Sequence, residues 1–422
     1  MKGKAAERLR IAFFNASDRG SGAEALTVKT VEKLIAQGID ARLYAMRCET
    51  RAPFVYQFPV FRGERRIERK FRGVTGRNDF LFPSTFVLGS CPWIKDADIW
   101  HFHNLHGHYI SIPLLAAQSR KRPVVLSPVD QFLSTGYCPY TLGCERYRDA
   151  CGDCPQLDLP YPGISRDATR PLLAMKKSAV GKSKFYILVH TDYLAQHYAS
   201  TFVGSRPIER IYYGVDTQVF RPMDRDTCAA ALRVQPTRRF VIGLFHSFVE
   251  EKRKGLLPLL SLLQSVADRM HGSIEVFVVG HASERAREYA TPTMPVTAVP
   301  FLQSENELAM ALNLCNVLLY PTQAENLSLT CLDALACGVP VVSSNIGGQS
   351  EAIQNEVNGF LCEPNRNDQI IECTARLAAD KNLTQQLSIG ARQTVVSQFD
   401  INTYITNLVG YYERVLQRGT NT

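Results

Sequence analysis

Two carboxylates and a cluster of cations are the side chains in this chain best suited to chemistry. Glu325 follows an apolar run that ends at Tyr320, just before a predicted helix near Ser328, and Asp333 comes eight residues later. Because carboxylates accept hydrogen bonds from hydroxyl groups, this pair could hold a polyhydroxylated ligand. The alternative interpretation is that Glu325 only favours the helix dipole and Asp333 lies on a solvated face.

The cations form a turn, Lys252-Arg253-Lys254-Gly255, directly before a helix predicted from Leu256. Positive charge at a helix N-terminus opposes the helix dipole, and a bound anion would remove that conflict. The turn therefore predicts a phosphate site, with a solvated turn as the alternative.

A glycine loop near the N-terminus, Gly20-Ser21-Gly22-Ala23-Glu24-Ala25, fits the pattern G-x-G-x-x-A of dinucleotide-binding folds. Five residues separate Gly20 from the preceding strand, and no acid ends the second strand near Met46. Both departures argue against NAD binding, and a plain turn is the remaining alternative.

Four of the nine histidines lie between His101 and His108. Strand alternation places His101 and His103 on one face. No carboxylate or cysteine nearby completes a metal site, so local hydrogen bonding is the ordinary interpretation.

Four of the 12 cysteines are concentrated in a loop-like segment, as Cys138-x5-Cys144-x6-Cys151-x2-Cys154. The C-x2-C pair is typical of zinc sites, and the set predicts one structural Zn²⁺. Reduced thiols without metal are the alternative.

A basic segment at 62–77 carries seven cations against Glu64 and Glu68, a local net charge of +5 with Phe61, Ile67 and Phe71 interleaved. This pattern predicts attraction to an anionic membrane surface. Nucleic acid is the rival partner, but no nucleic-acid motif accompanies it, so we expect none; a solvated loop is the other alternative.

Composition limits the class of protein. The 422 residues carry a net charge of +8, with 45% hydrophobic and 21% charged residues, which excludes disorder, collagen and coiled coil. No apolar run is long enough for a membrane span, and the N-terminus does not resemble a secretory signal. We therefore expect a cytoplasmic protein with reduced cysteines, and the basic segment at 62–77 predicts peripheral binding to the inner face of the cytoplasmic membrane.

Strand and helix patterns alternate along the chain and restart after residue 222, which predicts two α/β domains with parallel sheets. We expect an N-terminal domain at 1–200 with a cysteine-rich insertion at 136–157, a connector at 201–222, and a C-terminal domain at 223–395. A last helix within 396–422 should return to the first domain.

The sequence at 325–342 resembles the E-x7-E motif of family-four retaining glycosyltransferases of the GT-B fold. Residues 347–353, 358–361 and 213–216 resemble other parts of that family. The resemblance implies two Rossmann-like doubly wound domains that face a central cleft.

The resemblance also implies roles for individual residues. Glu325 contacts the transferred sugar and Asp333, one methylene shorter than the family's glutamate, holds the ribose. Arg253 and Lys254 stabilise the leaving diphosphate, and the remaining donor-binding residues are Gly20, Gly22, Gly255, Asn326 and Leu327.

On the acceptor side, the resemblance implies contact through His103, then His106, with Asp130 retained. Many relatives carry a histidine where this chain has Val129, which cannot donate, accept or shuttle a proton. The cysteine-rich segment resembles a subset of bacterial polysaccharide enzymes.

The expected function is transfer of a sugar from a nucleotide-diphosphate sugar to a hydroxyl of a lipid-linked or glycan acceptor, with retention and with no cofactor required for catalysis. Val129 and Asp333 leave open a degenerate GT-B protein that binds nucleotide sugar without turnover. A GT-B nucleotide-sugar epimerase or hydrolase is the other alternative.

Overall fold

A computed structural model describes residues 9–20, 22–77, 82–157, 166–248, 251–269 and 273–420. The polar residues 1–8 and Ser21 of the glycine loop lie outside this part. The chain divides into an N-terminal unit, Met1–Ile211 with Ile405–Thr422, and a C-terminal unit, Tyr212–Tyr404. Each unit contains one parallel sheet, which confirms the predicted α/β class.

The N-terminal unit has a seven-stranded sheet in the order β3-β2-β1-β4-β5-β6-β7. Its strands are β1 Arg10–Ser17, β2 Asp40–Arg47, β3 Val55–Gln57, β4 Ile99–His103, β5 Val124–Ser127, β6 Phe185–Val189 and β7 Ile208–Arg210. The chain runs outward from β1 to β3 and then resumes on the other side of β1 with β4. Ligands of open parallel sheets bind at such a reversal of strand order.

The helices of this unit are α1 Ala23–Ala36, α2 Glu64–Thr75, α3 Ser84–Val87, α4 Ile112–Gln118, α5 Thr169–Lys182 and α6 Asp192–Ala199. Its core is aromatic: Phe14 stacks on Phe102 with ring centroids 4.3 Å apart, and Trp100 meets Phe14 edge-on. Strands that are covered on both faces are apolar along most of their length, and β1 and β4 are buried almost throughout.

The C-terminal unit has a six-stranded sheet in the order β10-β9-β8-β11-β12-β13. Its strands are β8 Phe240–Phe248, β9 Ile274–His281, β10 Val296–Val299, β11 Val317–Tyr320, β12 Val341–Ser344 and β13 Gly359–Cys362. Its helices are α7 Arg225–Leu232, α8 Leu256–Arg269, α9 Glu305–Asn313, α10 Leu329–Ala336, α11 Asn367–Ala379 and α12 Lys381–Gln398.

The last helix, α13 Ile401–Thr420, has its first residues in the C-terminal unit and the rest, from Ile405, in the N-terminal unit. Within the N-terminal unit the hydroxyl of Tyr412 lies 2.6 Å from Nδ1 of the buried His101. The segment at 201–222 contains β7, which pairs with β6 at the edge of the first sheet.

Helix α2 has an unusual buried face. Its buried residues are Glu64 and Glu68, while Ile67 is 58% and Val74 73% exposed. Glu64 is satisfied by the backbone N–H and hydroxyl of Ser84, each 2.9 Å away. Because acids rather than apolar residues face inward, hydrophobic periodicity does not reveal this helix. None of the helices in the described residues is long and apolar enough to cross a membrane.

Candidate active site

Glu325 lies in the loop between β11 and α10, where the sheet of the C-terminal unit presents its carboxyl edge. Ser328 caps α10, since its side chain accepts a hydrogen bond from the backbone N–H of Cys331 at 3.3 Å. The cap fixes where the helix starts and so fixes the loop before it. The Glu325 side chain is 11% exposed.

The predicted phosphate turn contacts this carboxylate. Lys254 Nζ lies 2.6 Å from Glu325 Oε2, and Arg253 Nη1 lies 3.7 Å from the same oxygen. Lys254 also donates to the hydroxyl of Tyr320 at 2.6 Å, and that hydroxyl donates to Glu325 Oε2 at 2.9 Å. The structure therefore brings Arg253 and Lys254 into contact with Glu325, which lies about 70 positions further along the chain.

Charge keeps this carboxylate ionised. Burial alone would raise the pKa of Glu325, but the neighbouring Lys254 and Arg253 and the Tyr320 hydroxyl outweigh it and lower that pKa to about 2. A permanently ionised carboxylate is suited to accepting hydrogen bonds from sugar hydroxyls.

Two glycines allow the backbone to approach this cluster closely. Gly255 has φ +68°, and a Cβ there would lie 2.5 Å from the carbonyl oxygen of Pro321. Gly347 has φ +64°, and a Cβ would lie 1.9 Å from the carbonyl oxygen of Glu325. Only glycine meets both the conformation and the space at these positions.

Gln349 anchors the loop between β11 and α10 through hydrogen bonds, a role that sequence reasoning did not assign. Its amide oxygen accepts from the backbone N–H of Ser328 at 3.0 Å, and its amide nitrogen donates to the Ser343 hydroxyl at 3.1 Å. The amide therefore ties the start of α10 to β12. Asn326 and Leu327, the predicted donor-binding residues, are both buried beside it.

Asp333 lies in α10, in a different environment from Glu325. Burial, together with the negative charge of Glu305, raises the pKa of Asp333 well above its ordinary value. Within the described residues, its carboxylate forms no ion pair. The ribose role predicted for Asp333 stays a prediction.

A row of aromatic rings at the ends of β8, β9 and β10 was missed by sequence reasoning. His281 lies 4.7 Å from Phe301 with an interplanar angle of 11°, and 5.1 Å from Phe248. Phe248 is 59% exposed. The only sequence signal is that each ring closes or follows a strand of a parallel sheet, where ligands bind.

On the acceptor side, His103 and His106 have different surroundings. His103 is fully buried between Phe13 and His101, and burial, with repulsion from His190, lowers the pKa of His103 to about 3. His106 lines a cavity, and its Nδ1 lies 2.5 Å from Asp130 Oδ2. Of the two histidines, His106 is the one at a surface that a ligand can reach.

The glycine loop also lies near this cavity. Gly22 precedes α1 with φ +65°, and a Cβ on Gly20 would lie 3.3 Å from the Glu24 side chain. Glu24 accepts a hydrogen bond from the Asn104 side chain at 2.7 Å. The predicted close approach of Gly20 and Gly22 to donor phosphates stays a prediction.

The four clustered cysteines are free and half-buried. Burial raises the pKa of Cys138 to about 12, and burial with neighbouring thiols raises that of Cys151 and Cys154. Across the described ranges, no three His, Cys, Asp or Glu side chains are gathered closely enough to hold a metal ion. Among the described residues, the four thiols therefore share one loop segment without forming a coordination shell.

Comparison with known proteins identifies the C-terminal unit. Residues 236–394 match the family described as glycosyl transferases group 1. The chain is 26% identical over 246 residues to the GDP-mannose-dependent alpha-(1-6)-phosphatidylinositol monomannoside mannosyltransferase of Mycobacterium tuberculosis. That alignment covers 55% of this chain and 62% of the relative, so the chain spans about three-fifths of its length.

Solved structures resemble the chain over nearly its whole length. Sucrose-phosphate synthase from Thermosynechococcus elongatus has a TM-score of 0.67 at 16% identity, covering 97% of this chain and 100% of that one. Anabaena Alr3699/HepE, solved in complex with UDP-glucose, has a TM-score of 0.67 at 16% identity, covering 96% and 100%. At this identity the similarity concerns the fold.

The family match covers the unit that contains Glu325, Lys254 and Arg253, and both sheets have the predicted Rossmann-like topology. Residues 236–394 therefore match the group 1 glycosyl transferases, and the chain has the GT-B fold class that its sequence predicts.

Proposed function

We propose that this chain transfers a sugar from a nucleotide-diphosphate sugar to a hydroxyl of a lipid-linked or glycan acceptor, with retention of anomeric configuration. The observation that carries the proposal is the contact of Lys254 and Arg253 with Glu325 inside the region that matches the family. The Mycobacterium relative is named for GDP-mannose and a phosphatidylinositol monomannoside, which agrees with a nucleotide-diphosphate donor and a lipid-linked acceptor.

The cations supply the electrostatic part of the reaction. When the sugar leaves, negative charge builds on the diphosphate, and Arg253 and Lys254 stabilise that charge more in the transition state than in the ground state. Glu325 accepts hydrogen bonds from the sugar and holds Lys254 in place. Asp333 forms hydrogen bonds with the ribose hydroxyls of the donor. No cofactor is required for these steps.

The aromatic row is the proposed site of the donor's base. Phe248 and Phe301 each stack on His281 at the carboxyl edge of the sheet that carries Glu325, and the exposed Phe248 leaves its ring accessible to a ligand. Aromatic side chains stack on any nucleobase, so this surface fits a nucleotide without selecting one.

A membrane surface is the proposed location of the acceptor. Helix α2 exposes Ile67 and Val74, with Phe61 49% exposed just before it, and carries exposed Arg66 and Lys70. Cations beside apolar side chains favour shallow binding to an anionic bilayer. A lipid-linked acceptor would place the enzyme on the cytoplasmic face of the membrane, in the synthesis of a polysaccharide or glycolipid.

A structural zinc ion held by Cys138, Cys144, Cys151 and Cys154 is also proposed. The support is four half-buried thiols within a short loop segment, together with the C-x2-C spacing. Binding would draw the sulfur atoms into one tetrahedron and deprotonate them, since thiolates are the ligands of zinc.

A second candidate function is nucleotide-sugar binding without turnover. It is favoured by Val129, which lacks the polar group that many relatives carry there, and by the desolvated carboxyl of Asp333. Glu325, Lys254 and Arg253 would then hold a ligand that is not consumed.

Product analysis separates these functions. The full chain is first screened for binding of GDP- and UDP-sugars, and each bound donor is then incubated with phosphatidylinositol, polyprenyl-linked sugars or simple glycosides. A glycosylated product with the donor's anomeric configuration supports the proposal. Binding without any product supports the second candidate, and hydrolysed or epimerised sugar without acceptor supports neither.

A further inference from the structure

A cavity of about 360 Å³ lies entirely within the N-terminal unit. It is bordered by Ala16 in β1, by Met46 and Arg47 near the end of β2, and by the loop from Asn104 to His108 after β4. These strands are neighbours in the order β2-β1-β4, where the strand order reverses. The cavity thus has the size and the position of a ligand site in a parallel sheet.

Arginine dominates the wall of this cavity. Arg47, Arg65, Arg69 and Arg72 all line it, against the carboxylates of Glu24 and Glu68.

Most of that positive charge is not neutralised. Arg72 pairs with Glu68, with Nε 3.2 Å from Oε1. Among the described residues, no carboxylate lies within ion-pair distance of Arg47, Arg65 or Arg69. Burial raises the pKa of Glu24 and outweighs its backbone hydrogen bond, the charges of His106 and Arg47 and the hydrogen bond from Asn104, which all lower that pKa.

Helix α2 presents two separate groups of cations. Arg65, Arg69 and Arg72 are spaced by four and three residues, so they share the helix face that lines the cavity. Arg66 and Lys70 share the next face, which does not line it. The helix that carries the proposed membrane-binding side chains therefore also carries a second cationic surface, which borders the cavity.

The same cavity also carries groups that can form hydrogen bonds with the uncharged hydroxyls of a ligand. Asn104 and His106 line it, and Asp130 orients the His106 ring through Nδ1. Guanidinium groups beside an oriented imidazole and an amide match a ligand that combines an anion with hydroxyl groups.

We infer that this cavity binds a phosphate-bearing polyol, as the anionic part of the acceptor, through Arg47, Arg65 and Arg69. That this ligand belongs to the acceptor rests on the proposed function. Binding of the ligand in the cavity does not require turnover. The phosphate can belong to a lipid headgroup or to a soluble phosphate ester.

Calorimetric titration of the full chain with sn-glycerol 1-phosphate at low salt tests the inference. We expect binding that weakens at least about ten-fold in R65S/R69S, because two charge-assisted contacts are lost. The matched variant R66S/K70S removes the same charge from the same helix and should change the affinity less than about two-fold. R47S, outside α2, should weaken binding even if the helix tolerates no substitution.

Two further arms locate and identify the ligand. R253A, which lacks the donor-side cation, should bind glycerol 1-phosphate as the parent does. If glycerol 1-phosphate also displaces the chain from phosphatidylglycerol vesicles, the cavity takes a lipid headgroup; if it binds without displacing, the cavity takes a soluble phosphate.

The inference is overturned by any of three results. These are no binding of glycerol 1-phosphate by the parent, equal weakening in the two double variants, or loss of binding in R253A alone. Binding that behaves as expected in a chain that forms no glycosylated product contradicts the proposed function and leaves this inference standing.

Discussion

The donor-side cluster, by which we mean Glu325, Lys254 and Arg253 at the proposed donor site of the C-terminal unit, has its positive charges paired. The arginine-lined cavity of the N-terminal unit has most of its positive charges unpaired among the described residues. In the cluster, Lys254 and Arg253 are held by a buried carboxylate, Glu325. In the cavity, Arg65 and Arg69 are exposed and form no ion pair with any described residue. A paired cluster has fixed geometry before substrate arrives, whereas unpaired cations gain a partner only when a ligand supplies one.

The two regions also differ in whether they lie inside the part of the chain that matches the family. The paired cluster lies in the region that matches the family, residues 236–394. The cavity lies outside that region, and its arginines come from β2 and from a helix between β3 and β4. We expect the first region to govern the chemical step and the second to govern which acceptor is used.

Removing the paired charges should have the largest effect and would break the donor-side half of the comparison. Glu325→Ala and Arg253→Ala should each lower kcat/KM ten-fold or more, since loss of one stabilising group in a reacting site typically costs about 2.7–4 kcal/mol. Steady-state kinetics with the identified donor measures the effect, and circular dichroism checks that the fold is intact.

The control for this prediction is Arg366→Ala, an exposed arginine of the same unit that pairs with the exposed Glu363 and Asp368. Its kcat/KM should stay close to that of the parent, because exposed ion pairs contribute little. Near-parental turnover in Glu325→Ala or Arg253→Ala would remove that residue from the active site.

Metal analysis of freshly purified protein sharpens the description of the N-terminal unit. We expect about one Zn²⁺ per chain, lost in Cys151→Ser and Cys154→Ser, because a structural site needs all its thiolates. Cys48→Ser and Cys91→Ser, which remove thiols elsewhere in the same unit, should retain the metal. A metal-free preparation with full activity would contradict the zinc site.

A single methyl group tests whether the loop around Glu325 is fixed by backbone packing. Gly347→Ala should destabilise the C-terminal unit by more than about 1 kcal/mol, because φ is positive and the new Cβ would overlap the Glu325 carbonyl oxygen. For a unit of this size, each kcal/mol lost lowers the melting temperature by about 2–4 °C.

Gly181→Ala is the matched control, since a Cβ at this position in α5 meets no atom within 4 Å. Helix propensity should make that substitution neutral or stabilising by up to about 1 kcal/mol. An unchanged melting temperature in Gly347→Ala would show that the loop adapts and does not hold Glu325 rigidly.

The smallest effect concerns the outer face of α2. R66S/I67S/K70S should bind phosphatidylglycerol vesicles several-fold more weakly than the parent, since each cation near an anionic surface contributes at most about 1 kcal/mol and screening by salt reduces that contribution. Flotation or sedimentation at low and high salt measures this, and parental binding should fall with salt because exposed charges are screened.

R120S/K121S, which removes two exposed cations before β5 in the same unit, should bind vesicles as the parent does. If the α2 triple variant binds as well as the parent, the outer face of this helix is an ordinary solvated surface. The comparison with the cavity-lining arginines would then concern ligand binding alone.

Local patterns in the sequence were sufficient for most of the two sheets and for choosing candidate donor-binding residues. The apolar run that ends at Tyr320 is β11, and the helix predicted from Leu256 is α8, which begins there. Strands of parallel sheets are short apolar runs because they are buried on both faces, so they can be recognised locally. Glu325 could be found because a helix start and its preceding loop leave a local motif.

Other elements leave no such pattern. The predictions did not include β10, which is only half-buried throughout, or α2, whose inward face is acidic. Periodicity in apolar residues cannot mark an element that buries charge. The basic composition of 62–77 was evident from the sequence, but its division into a cavity face and an outer face was not.

The sequence by itself therefore determined the fold class, the resemblance to a glycosyltransferase family, and which cations and carboxylate of the C-terminal unit to propose for donor binding. Only the tertiary structure decided that Lys254 reaches Glu325, that His103 is buried while His106 lines a cavity, and that Arg65 and Arg69 join Arg47 beside it. The physical reason is that burial and ion pairing depend on which strand ends and helix faces become neighbours. That arrangement is set by sheet order and register, which no local run of residues specifies.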